Sequence, residues 1–391
     1  MKTMLPSLLI SIPKGIIDLG WGHPSANLHP VQYLSTAAKK VLSENPIALQ
    51  YGATQGFGPL LESLSIFLSQ EASYDHQVNP RDLFLSGGAS QAIDFTTTLF
   101  TKAGDTVFLE NPTYYLVERI FQDHHLNVVS IPTDNLGMDV DQLEKMLHDN
   151  TIPIPKLVYI IPVFQNPTGV VLPLERRKKL VALAEEFNFK ILADEVYQLL
   201  YYNSPPPKPI VLFDKSKSGC VISLGSFSKI LAPGLRLGWI HANPNIIKVF
   251  QNAGITESGG GFNHFTSNIV NVIVELGFLK QNIINLKETY KKRINSITNT
   301  LDSFHRYRLV FSTPAGGYFF WLNYKDNIDT TLLLKIARKN GVSFRPGIDF
   351  SPDNSYRNSL RISLALYRSD ELTEGLNRLD YSVDEYLNTF T

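Results

Sequence analysis

The stretch SLGSFSKILAPGLRLGW, Ser223 to Trp239, sets one lysine between two apolar runs. The run Cys220 to Gly225 reads as a buried strand and Leu235 to His241 as another. Lys229 therefore falls on a loop between strands, where functional side chains concentrate. Ser226 and Ser228 stand just before it, and Arg236 follows the Pro233-Gly234 turn signal. A lysine partly withdrawn from water has a lowered pKa and an amine that attacks carbonyls. Two hydroxyls and a guanidinium form a cradle for an anion. Together these groups suit an aldehyde with a phosphate handle, pyridoxal phosphate. The competing reading is a surface loop with a solvated lysine and a helix-capping serine.

S-x-S-K followed by P-G-L-R-x-G-W resembles the cofactor-lysine signature of the class I and II aminotransferases, a fold-type-I pyridoxal phosphate family. Within that family the chain is most similar to the branch holding the 2-aminoadipate and kynurenine aminotransferases. Matching motifs run from Gly22 to Arg361. Strands alternate with helices from about Asp82 to Val249, the pattern of a mostly parallel sheet with helices on both faces. The resemblance implies an α/β fold with a seven-stranded large domain and a smaller α+β domain. It divides the chain into 1–44 (arm and part of the small domain), 45–278 (large cofactor-binding domain) and 279–391 (small domain). It also implies a homodimer with the sites at the interface.

Several segments carry candidate site residues. LGWGHPSANLHP, Leu19 to Pro30, is a loop dense in glycine and proline. Its Gly22 resembles the family position that offers a backbone N–H to the substrate carboxylate, against a plain turn. In YGATQGFGPLLESLSIFL, Tyr51 and Gly56 match a Y-G-x-x-x-G pattern, and the resemblance implies that Tyr51 reaches the partner's cofactor phosphate. The family often has Leu-Arg where this chain has Leu60-Leu61, a departure that falls on a helix.

RDLFLSGGASQAIDFTTTLF reads as strand, glycine turn and helix, so Ala89 and Ser90 occupy a helix start whose N–H groups suit a phosphate. Many relatives carry a hydroxyl residue at the position of Ala89. Tyr114 in NPTYY matches the aromatic residue that stacks on the pyridine ring; Tyr115 and a plain core role compete. Asn166 opens N-P-T-G after an apolar strand, which by itself is also a turn signal. The resemblance gives its amide to the cofactor phenolate oxygen and the substrate carboxylate.

Asp194 ends a buried strand, where an unpaired charge is costly. A protonated pyridine nitrogen would pair with it; a helix N-cap is the alternative. Tyr197, three residues on, matches the family's second donor to the phenolate oxygen. Arg361 interrupts an alternating strand pattern, which calls for an acidic partner. It resembles the arginine that grips the substrate α-carboxylate with two prongs. The run Gly259–Gly261, Asn263 and His264 either lines the substrate end or shapes a turn, and Arg345 reads as structural. No metal site is read.

Composition is that of an ordinary globular protein with length for a large core and a second domain: 391 residues, 43% hydrophobic, with 36 basic and 36 acidic side chains. That balance points to neither nucleic acid nor an anionic membrane as partner. One cysteine, Cys220, excludes an intrachain disulfide framework. No stretch reads as a bilayer span, and the start lacks a clear small-residue cleavage site, so a cytoplasmic protein is expected. The expected activity is transfer of an amino group from an L-amino acid to a 2-oxo acid, 2-oxoglutarate being favoured, by a ping-pong mechanism. Lys229 serves as general base and acid in that scheme. A carbon–sulfur β-lyase on the same scaffold and a non-catalytic effector-binding domain are the alternatives. The latter calls for a DNA-binding segment upstream, for which the family-like region, starting near Ile17, leaves no room.

Overall fold

The computed structural model describes residues 6–217, 219–304, 309–325 and 328–390. Its centre is an eight-stranded sheet. Across the sheet the strands run Leu83–Ser86, Gly238–Ala242, Val221–Ser226, Lys190–Asp194, Leu157–Ile160, Thr106–Asn111, Asn127–Asp134 and Gly137–Met138. The five strands from Val221–Ser226 to Asn127–Asp134 are parallel. Gly238–Ala242 runs antiparallel to both its neighbours. The two-residue strand Gly137–Met138 folds back on Asn127–Asp134 and adds an eighth to the seven expected.

These strands read as unbroken apolar runs because both faces are covered. Alternate residues go to opposite faces. Val107, Leu109 and Tyr159 pack with Phe84, Phe95 and Phe250 on one side. Phe108, Val158 and Ile160 pack with Leu143, Leu180 and Phe189 on the other.

The second expected strand of the central stretch starts late. Pro233–Leu235 form a short 3-10 turn, Arg236 is left-handed at φ 46°, and pairing begins at Gly238. Proline fixes its own φ and gives no ladder donor, so the turn extends to Arg236 before a strand can form.

A four-stranded antiparallel sheet holds Leu309–Val310, Phe319–Tyr324, Ser359–Ser363 and Arg345–Pro346. The N-terminal pair Ile17–Asp18 runs parallel to Val342–Ser343, and Ser363 donates its N–H to the Leu19 carbonyl at 2.7 Å. The start of the chain is thus laid beside the strand that bears Arg361. A helix over Phe278–Asp302 joins the two sheets. It buries Leu279, Ile283, Leu286, Tyr290, Ile294, Ile297 and Leu301, one stripe at three- and four-residue spacing. Its Asn282 donates to the Ile230 carbonyl at 2.8 Å, next to Lys229. Among the described residues no single helix is long and apolar enough to cross a membrane.

Candidate active site

Ser86, Asn111, Ile160, Asp194 and Ser226 are the last residues of their strands and point one way along the sheet. Ligands of such sheets bind beyond the carboxyl ends of the strands. Here the loops that follow these ends surround a cavity of about 750 Å³. Ala89, Ser90, Tyr114, Asn166, Asp194, Tyr197, Ser226, Ser228, Lys229 and Arg236 all line it. Ten residues spread over almost 150 positions of sequence are brought to one space by sheet order alone.

One end of the cavity suits an anion. The helix Ala89–Phe100 starts there, after Gly88 at φ 90°. That φ favours glycine at Gly88, and a Cβ there would lie 3.0 Å from the Arg236 guanidinium, pressing on it. Arg236 reaches back to the Gly87 carbonyl at 3.2 Å. The Ser226 hydroxyl accepts the Ser228 N–H at 3.1 Å. Free N–H groups, hydroxyls and a guanidinium so gathered match a phosphate. Asn263, itself left-handed, donates its side-chain amide to the Arg236 carbonyl. The glycine run before it packs on Gly52 and Gly56, and His264 on Gly52. The segment read as either substrate-lining or turn-forming thus braces the anion end and the loop of Tyr51.

Deeper in, Asp194 is buried. Tyr159 donates to its Oδ2 at 2.9 Å, and its Oδ1 has no hydrogen-bond partner. Burial raises its pKa, while Tyr159 and Lys229 oppose the shift. An orphaned carboxylate oxygen in a buried place wants a donor, and a protonated ring nitrogen is one. The neighbouring Glu195 is not a rival. It accepts the Ile210 N–H at 3.0 Å and faces Arg177 at 3.7 Å, so it already has its cation.

Lys229 is held at about pKa 8, chiefly by burial, with Arg361 and Arg236 adding and Asp194 opposing. Its Nζ donates to the Gly22 carbonyl at 3.2 Å and lies 5.5 Å from the Tyr318 ring. Tyr318 donates to the Lys229 carbonyl at 3.1 Å and fixes the backbone of the lysine loop. Tyr197 packs edge-on to Tyr318 at 5.2 Å, and burial raises its pKa, so it stays a hydroxyl donor.

Gly22 and Arg361 do not line the cavity; each touches a residue that does, Gly22 through its carbonyl on Lys229 and Arg361 through its guanidinium on Asn166. A Cβ on Gly22 would meet the Phe319 ring at 2.6 Å, which is why the loop carries glycine there. Arg361 is buried. It donates to Asn166 Oδ1 at 2.7 Å and to the Gly20 carbonyl. Its Nε has no partner, and the Phe319 and Phe350 rings lie at 4.1 and 4.8 Å from the guanidinium. The acidic partner expected from the sequence is absent among the described residues: this buried cation is held by neutral acceptors. Asn166 is set by a cis Asn166-Pro167 bond and by Gln165, whose side-chain oxygen accepts both the N–H and the hydroxyl of Thr168 at 2.9 and 2.7 Å. Arg345 faces Asp349 at 3.4 Å and stacks near Trp21 and Tyr115, a structural place. Tyr51 lies outside the cavity and is 86% exposed.

The residues fit pyridoxal phosphate. An orphaned Asp194 oxygen, a lysine of lowered pKa, an aromatic face at Tyr114 and a helix start with Arg236 meet the ring nitrogen, the aldehyde, the ring and the phosphate respectively. Reading the sequence did not single out Tyr159, Tyr318 or His23. Tyr159 sits in an apolar strand and nothing in its neighbours marks it. His23 stands next to Gly22, and that adjacency was the available signal.

A sequence profile of aminotransferase class I and II matches residues 14–379. The aromatic-amino-acid aminotransferase 1 of Thermococcus litoralis is 35% identical over 95% of this chain and 88% of its own length. The crystal structure of the kynurenine aminotransferase of Pyrococcus horikoshii, in complex with PMP, superposes with a TM-score of 0.88 at 33% identity, over 96% of this chain and 92% of that one. LysN, the α-aminoadipate aminotransferase of Thermus thermophilus, complexed with N-(5'-phosphopyridoxyl)-L-leucine, does so with a TM-score of 0.85 at 28% identity, over 96% and 94%.

Proposed function

Because this chain belongs to the class I and II aminotransferases, pyridoxal phosphate-dependent enzymes, we propose that Lys229 holds the cofactor and that the enzyme passes an amino group from an L-amino acid to 2-oxoglutarate in two alternating half-reactions. The observation that carries this reading is the meeting of Lys229 and Asp194 in one cavity with an anion-binding helix start. When bound, pyridoxal phosphate supplies an aldehyde that takes up the donor's amino group and a ring that draws electrons from its α-carbon.

The chain's own residues do the rest. Arg361, with Asn166 and the Gly22 N–H, holds the donor's α-carboxylate and so aims the α-proton at Lys229. The Lys229 amine is mostly uncharged above about pH 8, so it takes that proton as base and returns it as acid. The Asp194 carboxylate pairs with the ring nitrogen and keeps it protonated. Tyr197 and Asn166 donate to the phenolate oxygen, and Tyr114 covers one ring face. Ala89, Ser90, Ser226, Ser228 and Arg236 hold the phosphate, with Ala89 offering backbone only.

A single-turnover spectrum tests transfer against elimination. Addition of a donor amino acid without oxo acid should discharge the yellow colour stoichiometrically, and 2-oxoglutarate should restore it. Continuous release of pyruvate and ammonia from cystathionine, with the colour retained, would show a β-lyase instead.

The working form we propose is a homodimer with shared sites, in the cytosol, in keeping with a single buried cysteine. Tyr51 supports the dimer: a large side chain at 86% exposure beside the exposed Ile47 and Leu49. Mixing Tyr51→Phe with Lys229→Ala subunits, each impaired alone, should restore activity in hybrids that carry one site with both residues. No recovery after verified subunit exchange would exclude a shared site.

A further inference from the structure

The strand Thr106–Asn111 carries a carboxyl that the proposed reaction does not use. Glu110 is buried, and its Oε2 accepts the Ile161 N–H at 2.9 Å. The same oxygen lies 3.4 Å from the Gln165 amide nitrogen. Burial pushes its pKa up to about 8 against those two contacts, so at neutral pH it is mostly an uncharged acid.

Gln165 is equally buried, and both ends of its amide are engaged. The nitrogen donates to the Pro112 carbonyl at 2.7 Å. The oxygen accepts the Thr168 N–H and hydroxyl at 2.9 and 2.7 Å. Its backbone closes the same loop: the N–H donates to the Val170 carbonyl at 2.9 Å, and the carbonyl accepts the Gly169 N–H at 2.7 Å. Asn166 lies inside that loop, and its Oδ1 accepts from Arg361 at 2.7 Å. Thr113 donates its N–H to the Phe350 carbonyl at 3.0 Å, and the Phe350 ring is 4.8 Å from the Arg361 guanidinium. Residues 110–113 are thereby tied to two of the groups that meet Arg361, Asn166 by way of Gln165 and Phe350 by way of its backbone.

On the aminotransferase reading above, we infer that Gln165, seated on Glu110 and the Pro112 carbonyl, is a positioning residue for the donor's α-carboxylate. It fixes the loop of Asn166, and through Asn166 the angle of the Arg361 guanidinium. An amide is required because the place needs a donor on one side and an acceptor on the other. A two-pronged grip tolerates little error, since a misplacement of about 1 Å costs up to about 100-fold.

The test uses the pyridoxal phosphate-loaded protein and single-turnover discharge of its yellow colour by L-glutamate, the amine of 2-oxoglutarate. Gln165→Glu keeps the volume, loses the bond to the Pro112 carbonyl and sets a second carboxyl against Glu110. It should raise the half-saturating glutamate concentration by about 10-fold or more. The limiting rate should fall by less than about threefold, the signature of lost binding rather than lost chemistry. A residue that served folding alone would instead lower the amplitude of the colour change and leave half-saturation where it was. Glu110→Gln, a neutral mimic of the uncharged acid, should stay within about threefold of wild type, and Glu110→Ala should follow Gln165→Glu. Because both residues act through Arg361, Gln165→Glu/Arg361→Ala should be no worse than Arg361→Ala within about twofold. Half-saturation unmoved by Gln165→Glu while Arg361→Ala raises it would overturn the inference alone. So would additive effects in the double variant. Half-saturation unmoved by Arg361→Ala would overturn the carboxylate reading itself, and the inference with it.

Discussion

Lys229→Ala should lower transamination by at least about a thousandfold, since it removes the residue proposed both to hold the cofactor and to move the proton. Borohydride treatment of the wild-type protein should fix the cofactor on the peptide that contains Lys229, and label on any other lysine would overturn the assignment. The pH dependence follows from the depressed pKa. An amine attacks an aldehyde only when uncharged, and Lys229 loses its proton around pH 8 rather than near 10.5. Uptake of pyridoxal phosphate by the cofactor-free protein should thus accelerate as pH rises through about 8 and level off above it. An uptake rate that keeps rising to pH 10 would mean that burial does not tune this lysine. The Lys229→Ala protein should still bind the cofactor without covalent attachment, because Asp194, Tyr114 and the anion end remain.

Arg361→Ala should weaken amino-acid use by about 100-fold or more with the yellow colour retained. Charged hydrogen bonds contribute about 1.5–3 kcal/mol each, and a two-pronged grip loses two of them at once. The structure strengthens the argument beyond the motif. Arg361 is 3% exposed, and among the described residues it is met by Asn166 and Gly20 oxygens, not by a carboxylate. A buried cation without an anionic partner is costly to keep, and burial draws its pKa down to about 10. An arriving α-carboxylate supplies the missing charge. Arg361→Lys should recover only part of the loss, because an ammonium cannot present two parallel donors. Donor kinetics in Arg361→Ala equal to wild type would remove this residue from the site.

Sequence reading picked out most of the polar residues that line the cavity because they sit in short local runs. A residue that follows a buried strand by a fixed number of positions emerges at a fixed height above the sheet. Asp194 with Tyr197, Asn166 before its proline, and Ser226, Ser228 and Lys229 in a single loop are cases of this kind, and all of them line the cavity. Elements whose apolar period is strong were legible for the same reason. The run Cys220 to Gly225, read as a buried strand, appears as Val221–Ser226.

What the chain alone could determine, then, is the α/β class and the short loops that carry Lys229, Asp194, Asn166 and the glycine turn before Ala89 to the cavity, because each depends on neighbours within a few residues. The tertiary structure decided what depends on distant ones. Arg361 touches Asn166 across 195 positions and Gly20 across 341. Its lack of a carboxylate partner among the described residues is a property of packing, since a lone arginine in a strand predicts the opposite. The left-handed turn at Arg236, which follows the 3-10 turn Pro233–Leu235 and delays the next strand to Gly238, is held by Asn263 from another segment. His23 and Leu8–Ile10 reach the cavity only because Ile17–Asp18 pairs with Val342–Ser343 and lays the start of the chain against its far end. Pairing between segments so far apart is chosen by the burial of whole faces.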